Sequence, residues 1–355
     1  MNTARDTVPR SIAALACVLA AACAASPAAR QAPVTAPTSA APAFEPACAY
    51  VTSWGAEDVC GVHLPDGRPL GCVRTGKKPH GVALSPDGSR VYVSNEGSDT
   101  LTVVDAASLR AIAEIPVGHV PNQVALSPSG DRLWVTNNAD STVTIIDTAT
   151  QAVVRTLPVG RAPHIIVTNA ARNVAVITSE GDGALDVFDL STFERVSHVP
   201  VFGFPRVLAT TRSGDVAFLS IRWLNGALVI DLRGRGPKDR MALGEPRFAP
   251  EGKDAHGVAL TPDGRAVLLT TQMTDQLTFV DATTLAVIDQ IRVGRNPNWV
   301  DVTPDGRVAV VSTTDDDSVS IVDIASRRML ATAHVGRQPK RLVAGRCAAP
   351  TGGAE

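Results

Sequence analysis

The sequence predicts an all-β fold: a seven-bladed β-propeller of four-stranded blades, closed by pairing of the N- and C-terminal strands. Three observations predict it. Pro79, Pro121, Pro163, Pro205, Ala255, Pro297 and Pro339 each precede a similar run, at intervals of 42, 42, 42, 50, 42 and 42 residues. The aspartate that closes a short apolar strand keeps the same step, at Asp105, Asp147, Asp189, Asp231, Asp281 and Asp323. A repeat of this period marks propeller blades or another stacked array. Within each unit Val-, Ile- and Thr-rich runs are separated by Gly, Pro, Asp and Asn, and no run of helical period competes.

In the first complete unit, "HGVALS" ends at the turn Pro86-Asp87-Gly88, where glycine accepts a positive φ. "RVYVSN" follows, then the polar stretch Glu96 to Asp99, "TLTVVD" and "AIAEIPVG". Four antiparallel strands per repeat in a closed radial array make a blade. The strand-ending aspartates are expected to bond their own turns, and His63 takes that place in the split blade.

The chain ends complete the count. Residues 339–347 supply only the first strand of a blade, and "CAYVTS", "DVCGVHL" and "PLGCVRTG" within residues 48–76 supply the other three. Six complete units and one split unit make seven. Closure removes the free sheet edges that invite aggregation.

Cys347 and Cys48 map onto Ser129 and Arg132 of the second complete unit, flanking one turn, which predicts a Cys48–Cys347 disulfide across the closure. Cys60 and Cys72 face each other across the Pro65–Pro69 turn and form a second candidate pair. Two bridges suit an oxidising compartment. A metal site built from these four cysteines lacks any C-x-x-C spacing.

The first residues agree about compartment. Arg5 and Arg10 precede an apolar stretch, Ser11 to Ala22, of signal-peptide length and too short to span a bilayer. It ends at Cys23 in a lipoprotein-like box, with Ala20 where leucine is usual. Cleavage by an ordinary signal peptidase is the alternative. The expected organisation is a signal peptide over 1–22, an Ala/Pro-rich tether over 23–46 lipidated at Cys23, a propeller over 47–347 and a tail over 348–355. The expected location is the periplasm or cell envelope, with the membrane reached only through the lipid and the ring monomeric.

A net charge of −2 gives no bulk preference for nucleic acid or anionic membranes. It conceals a local asymmetry. Loops running from one unit to the next mostly read Gly-x-x-Pro, and the residue after Gly is Lys77, His119, Arg161, Lys253, Arg295 or Arg337. The residue after Pro (or after Ala255), where the channel-lining strand begins, is His80, Asn122, His164, Arg206, His256, Asn298 or Lys340. One face is therefore expected to carry a basic ring around a nitrogen-rich channel mouth, an arrangement that attracts anions. Duplication alone would also copy a Gly-Arg-x-Pro turn whose arginine points to solvent. The residue after Pro diversifies while staying polar, as a ligand-facing set would.

Asn95, Glu96, Asn137, Asn138, Glu180, Arg222, Trp223, Gln272, Met273, Asp315 and Trp54 are expected on the same face, with Trp299 near the mouth. Trp223 and Trp299 would stack on a ring or sugar, or fill gaps between blades. The eight-residue excess lies between Asp231 and His256. With a fourth strand at Arg240–Leu243 it falls in "GEPRFAPEGKDA", either a partial lid bearing Arg247 and Phe248 or a plain insertion.

The chain has no phosphate loop, C-x-x-C-H, H-E-x-x-H or G-x-S-x-G motif, so no cofactor is expected. His80, His164 and His256 would share a metal only in a narrow channel; polar lining is the simpler expectation. Asp315-Asp316-Asp317 lacks the alternating spacing of a calcium loop.

"RVYVSN", "RLWVTN" and "CAYVTS", with their "SPDG"-type turns and "TVTIID"-like strands, resemble the YVTN-repeat β-propeller family, and export and closure resemble its YncE-type members. The resemblance spans residues 48–347. It implies the fold, whereas functions among relatives range from surface and DNA-binding proteins to lactonases and haem d1 propellers. The fourth repeat departs, with "FLSIRW" where the motif stands, as does the third, with "NAARN" for the turn. Two functions follow as expectations. One is a binding or scaffold module for an anionic ligand, a polyanion such as single-stranded nucleic acid, or a protein partner. The other is a lactonase-like hydrolase or isomerase using His164, Glu180, Arg206 and Arg222.

Overall fold

In the computed structural model, which describes residues 46–243 and 255–348, twenty-eight strands form seven four-stranded antiparallel sheets. The expected signal peptide, Cys23, the tether up to residue 45, Lys253, the excursion bearing Arg247 and Phe248, and the tail from residue 349 lie outside the described residues. No helix among the described residues is long and apolar enough to cross a membrane.

The split blade is built as expected. Strand β1 (Ala47–Ser53) lies between β28 (Pro339–Arg346) and β2 (Asp58–Leu64), and β3 (Pro69–Arg74) completes the sheet. Cys48–Cys347 bonds the two ends across 299 residues of chain, and Cys60–Cys72 bonds β2 to β3. One strand boundary differs from expectation. The fourth strand of the unit with the insertion runs Gly236–Ala242, not Arg240–Leu243, because pairing continues back to Asp231 opposite Gly236.

Middle strands are buried on both faces, as at Val174–Ser179, since each blade packs between two others. Fourth strands form the rim, and Val153–Pro158 is mostly exposed. First strands surround the channel: β4 (Pro79–Leu84), β8 (Pro121–Leu126), β12 (Pro163–Asn169), β16 (Pro205–Thr210), β20 (Ala255–Leu260), β24 (Pro297–Val302) and β28. The strand-ending aspartates accept from their own turns, as Asp147 does from the amides of Ala149 and Thr150.

Each channel strand breaks register just after its Pro or Ala, for instance between Pro79 and Val82 and between Pro121 and Val124. The hydroxyl of the repeat motif fills the gap. Ser94, Thr136, Thr178, Ser220, Thr270, Ser312 and Thr52 each accept the freed amide, of Gly81, Gln123, Ile165, Val207, Gly257, Trp299 and Arg341 respectively. Six of the seven also donate to the mouth residue of the next blade, as Ser94 does to the Asn122 carbonyl at 3.0 Å. The Ser/Thr of the motif thus sets both the bulge and the residue presented beside it.

Candidate functional site

Those bulges aim His80, Asn122, His164, Arg206, His256, Asn298 and Lys340 into one cavity of about 400 Å³ at the channel mouth. All seven sequence-predicted mouth residues line it. A second tier comes from the residue after each motif strand: Glu96, Asn138, Glu180, Arg222 and Gln272. In the last complete blade this register position is Thr314, not Asp315. Thr314 is buried against the Pro339 carbonyl, while Asp315 turns outward to accept from Asn296.

Asn95 and Asn137 do not emerge on this face. Both are fully buried and brace their own hairpins, Asn137 donating to Thr142 and Thr144. Met273 lies exposed beside the mouth. Trp223 packs edge-to-face on Phe204 at 5.0 Å, with the Arg222 guanidinium over its ring. Trp54 donates to Glu96 at 3.4 Å.

Behind the cavity lining lies a buried cation outside the sequence-predicted set. Arg341 follows Lys340, where other blades place Gly81, Gln123, Ile165, Val207, Gly257 and Trp299, and it is only 1% exposed. Its guanidinium crosses the channel to donate to Gln123 Oε1 at 3.0 Å, Asn122 Oδ1 at 2.9 Å and His164 Nε2 at 3.1 Å, over the face of Trp299 at 4.6 Å. Gly81 permits this narrowness, since a Cβ there would meet the Asn122 carbonyl at 2.6 Å. No carboxylate contacts Arg341 among the described residues. Burial pulls its pKa down to about 9, which leaves it charged at neutral pH. The one signal in sequence was a lone cation in a strand position otherwise small, apolar or amide.

Proton positions follow from these contacts. His164 Nε2 faces two guanidiniums, Arg341 and Arg206 (3.4 Å), and so must accept, placing the proton on Nδ1. That Nδ1–H is buried without a hydrogen-bond partner; the nearest carboxylate, Glu180 Oε1, is 3.8 Å away. His80 and His256 donate Nδ1–H to the Asn122 and Asn298 carbonyls at 3.1 and 2.7 Å, leaving Nε2 of each as an acceptor. Burial, reinforced by Arg341 and Arg206, holds all three imidazoles well below their ordinary pKa, hence neutral. Glu180 pairs with Arg206 at 2.9 Å. Glu96 accepts from Asn122 at 2.9 Å, and burial raises its pKa. Arg206, Arg222 and Lys340 against Glu96 and Glu180 give the lining a formal charge of +1, and Arg341 directly behind it brings the mouth to +2. The three histidines do not bring ligand atoms within 4.8 Å of one another as a metal triad.

The outer basic ring sits differently. Lys77, Arg161, Arg295 and Arg337 lie outside the cavity lining. Arg161 and Arg295 pair with Asp182 and Asp316, each at 2.6 Å, and Arg337 donates to the Gly55 carbonyl. His119 pairs with Asp99 at 2.7 Å.

Two family models match this chain: "YNCE-like beta-propeller" over residues 245–349 and "Lactonase, 7-bladed beta-propeller" over residues 68–159. No curated protein matches it significantly. Among solved structures, a chain of Kuenenia stuttgartiensis hydrazine synthase is similar at TM-score 0.70 and 19% identity, covering 78% of this chain and 92% of that one. A candidate 6-phosphogluconolactonase of Bacteroides fragilis is similar at TM-score 0.69 and 15% identity, with 86% and 99% covered. A Desulfotomaculum acetoxidans protein of unknown function is similar at TM-score 0.69 and 12% identity, with 86% and 100% covered. At these identities the likeness concerns the fold. The chain is a seven-bladed β-propeller whose sequence is similar to YNCE-like propellers over its last third and to lactonase propellers over residues 68–159.

Proposed function

We propose that the protein is an exported binding module whose channel mouth holds a small anionic ligand. The observation that carries this is Arg341: a buried guanidinium whose hydrogen-bond partners are all neutral, held directly behind Asn122 and His164, which line a cavity of net positive charge. Glu96 and Glu180 act on this guanidinium only from a distance; a buried ion with no counter-charge in contact is costly, and an anion seated above Arg341 would supply one. Arg206 and Lys340 would flank it, and the unpartnered His164 Nδ1–H would donate to it or to Glu180. Two disulfides support the exported location, and a lipid on Cys23 would tether the ring.

The test is a thermal-shift screen with phosphate, acetate, gluconate, glucono-lactone and single-stranded DNA at low and moderate salt. A small anion at one hundred times its Kd should stabilise by about 2.7 kcal/mol, and Arg341→Met should abolish the shift. An equal shift in Arg341→Met would overturn the reading. Stabilisation by DNA alone, fading with salt, would move binding to the outer face.

A second reading, lactone hydrolysis or isomerisation, is favoured by one specific contact set: His164, Glu180 and Arg206 meet in the cavity. Glu180 would activate water and the guanidiniums would stabilise oxyanion charge. Lactone turnover lost in Glu180→Gln would support this reading, and no turnover above buffer would sink it.

A further inference from the structure

Away from the channel, the pair of strand positions holding Cys60 and Cys72 recurs in every blade. Its register partners elsewhere are Thr102–Glu114, Thr144–Thr156, Asp186–His198, Leu228–Arg240, Thr278–Gln290 and Ser320–Thr332. Side-chain tips meet at this pair: His198 Nδ1 lies 2.8 Å from Asp186 Oδ1, and Gln290 donates to Thr278 at 3.1 Å. Six blades therefore stand without a covalent bond here. The ring ends are already joined by Cys48–Cys347. The second disulfide links strands that neighbour each other in one hairpin, only 12 residues apart in sequence, and this is not a placement that closure requires.

A third group completes the cluster. Asp58 Oδ1 lies 3.6 Å from Cys60 Sγ, and ligand atoms of Asp58, Cys60 and Cys72 all fall within 4.8 Å of one another. Tetrahedral zinc with Zn–S near 2.3 Å and Zn–O near 2.0 Å sets sulfur and oxygen about 3.5 Å apart. The Asp58–Cys60 spacing is already that of two ligands on one ion. Gly336 leaves the room this carboxylate occupies, since a Cβ there would come 2.5 Å from Asp58 Oδ1. Cys60 is buried, whereas Cys72 is exposed and open to attack by a thiol.

We propose that Cys60 and Cys72 form a reducible pair which, once reduced, binds a zinc-class divalent cation together with Asp58. A small dithiol is the reductant class. One of its thiolates attacks Cys72 Sγ; the Cys60–Cys72 bond breaks and Cys60 leaves as a thiolate. The second dithiol sulfur then attacks the mixed disulfide and Cys72 leaves as a thiolate. Two electrons pass to the protein, the reductant becomes a cyclic disulfide, and its two protons pass to solvent or the new thiols. Metal binding takes both cysteines as thiolates and releases any protons they carry. Cys60 Sγ, Cys72 Sγ and Asp58 Oδ1 supply three ligands, and water reaches the fourth position from the Cys72 side.

The full chain is treated with a dithiol, desalted without oxygen and titrated with Co²⁺ as the probe. The expected result is one Co²⁺ per chain, a thiolate-to-cobalt absorption band, and release of the ion on reoxidation. Asp58→Asn should bind on the order of tenfold more weakly or worse. Cys60→Ser, which places at Cys60 the residue type found at Ser320, should lose the band while keeping its fold and the Cys48–Cys347 bond. Resistance of Cys60–Cys72 to the dithiol, binding that is absent, or a band that persists in Cys60→Ser would overturn the proposal.

Discussion

The channel mouth and the outer loops carry the same kinds of residue at the same repeat spacing, yet the structure gives them opposite electrostatic circumstances. On the outer loops three basic side chains are answered by a carboxylate, Arg161 by Asp182, Arg295 by Asp316 and His119 by Asp99, and Arg337 is spent on the Gly55 carbonyl. Such exposed pairs contribute little and have little left to offer a ligand. At the mouth, Arg341 is buried among neutral acceptors and the histidines are kept uncharged. Charge count alone therefore misidentifies the attractive region. What matters is whether a charge has already been satisfied.

Acidification separates the two regions most strongly. At the mouth, His80, His164 and His256 have folded pKa values depressed below 6.5, so the unfolded chain binds more protons below that pH. Their contribution to stability is present above pH 6.5 and is lost as pH falls. Three such groups together cost up to about 4 kcal/mol per pH unit until they protonate. His119 on the outer face has the opposite sign: Asp99 raises its pKa, so its small contribution is present below pH 6.5 and is lost as pH rises. Denaturant melts between pH 7 and 5 should show a steep loss, shallower in His164→Gln and unchanged in His119→Gln. Asp301, raised to about 6 by burial among the channel strands, opposes the trend between pH 6 and 4, and Glu96 and Asp58, raised by burial, oppose it with the same sign.

Ligand affinity provides the next contrast. Arg341→Met should weaken small-anion binding by at least about 100-fold, or roughly 2.7 kcal/mol, while relief of a buried ion is set against three buried acceptors left without a donor, on Asn122, Gln123 and His164. Arg206→Gln should cost nearer tenfold, since Glu180 already shares that guanidinium. The combined outer-loop reversal Lys77→Glu, Arg161→Glu and Arg337→Glu should change small-anion affinity by less than about threefold, through long-range charge alone. Calorimetric titration of the three proteins in one buffer would rank them; an outer-loop effect larger than that of Arg341→Met would reverse the comparison.

The fold was readable in the sequence because its determinants are periodic. The 42-residue step fixes blades and strands, and the cysteine positions follow from carrying one unit onto another. The ring from His80 to Lys340 was legible for the same reason, since one register position held seven polar residues. Arg341 was not, because a repeat compares like with like, and a single cation beside a ring position is visible only once six neighbours are known to pack as glycine, amide or apolar side chains. The pairing of Arg161 with Asp182 was equally hidden, as it depends on a hairpin turn 21 residues downstream folding back over the loop. Thr314 and Asp315 show the limit of register: a 3-10 turn at Thr314–Asp316 buries Thr314 against the Pro339 carbonyl and turns Asp315 toward Asn296, so neither lines the cavity.

The most direct measurement is a crystal of the ring soaked in a heavy anion such as bromide or selenate, with its positions located by anomalous scattering. Density is expected in the central cavity within hydrogen-bonding distance of the Arg341 guanidinium, flanked by Arg206 and Lys340. Density only beside Arg161, Arg295 or Arg337 on the outer face, with the cavity empty of the anion, would contradict it.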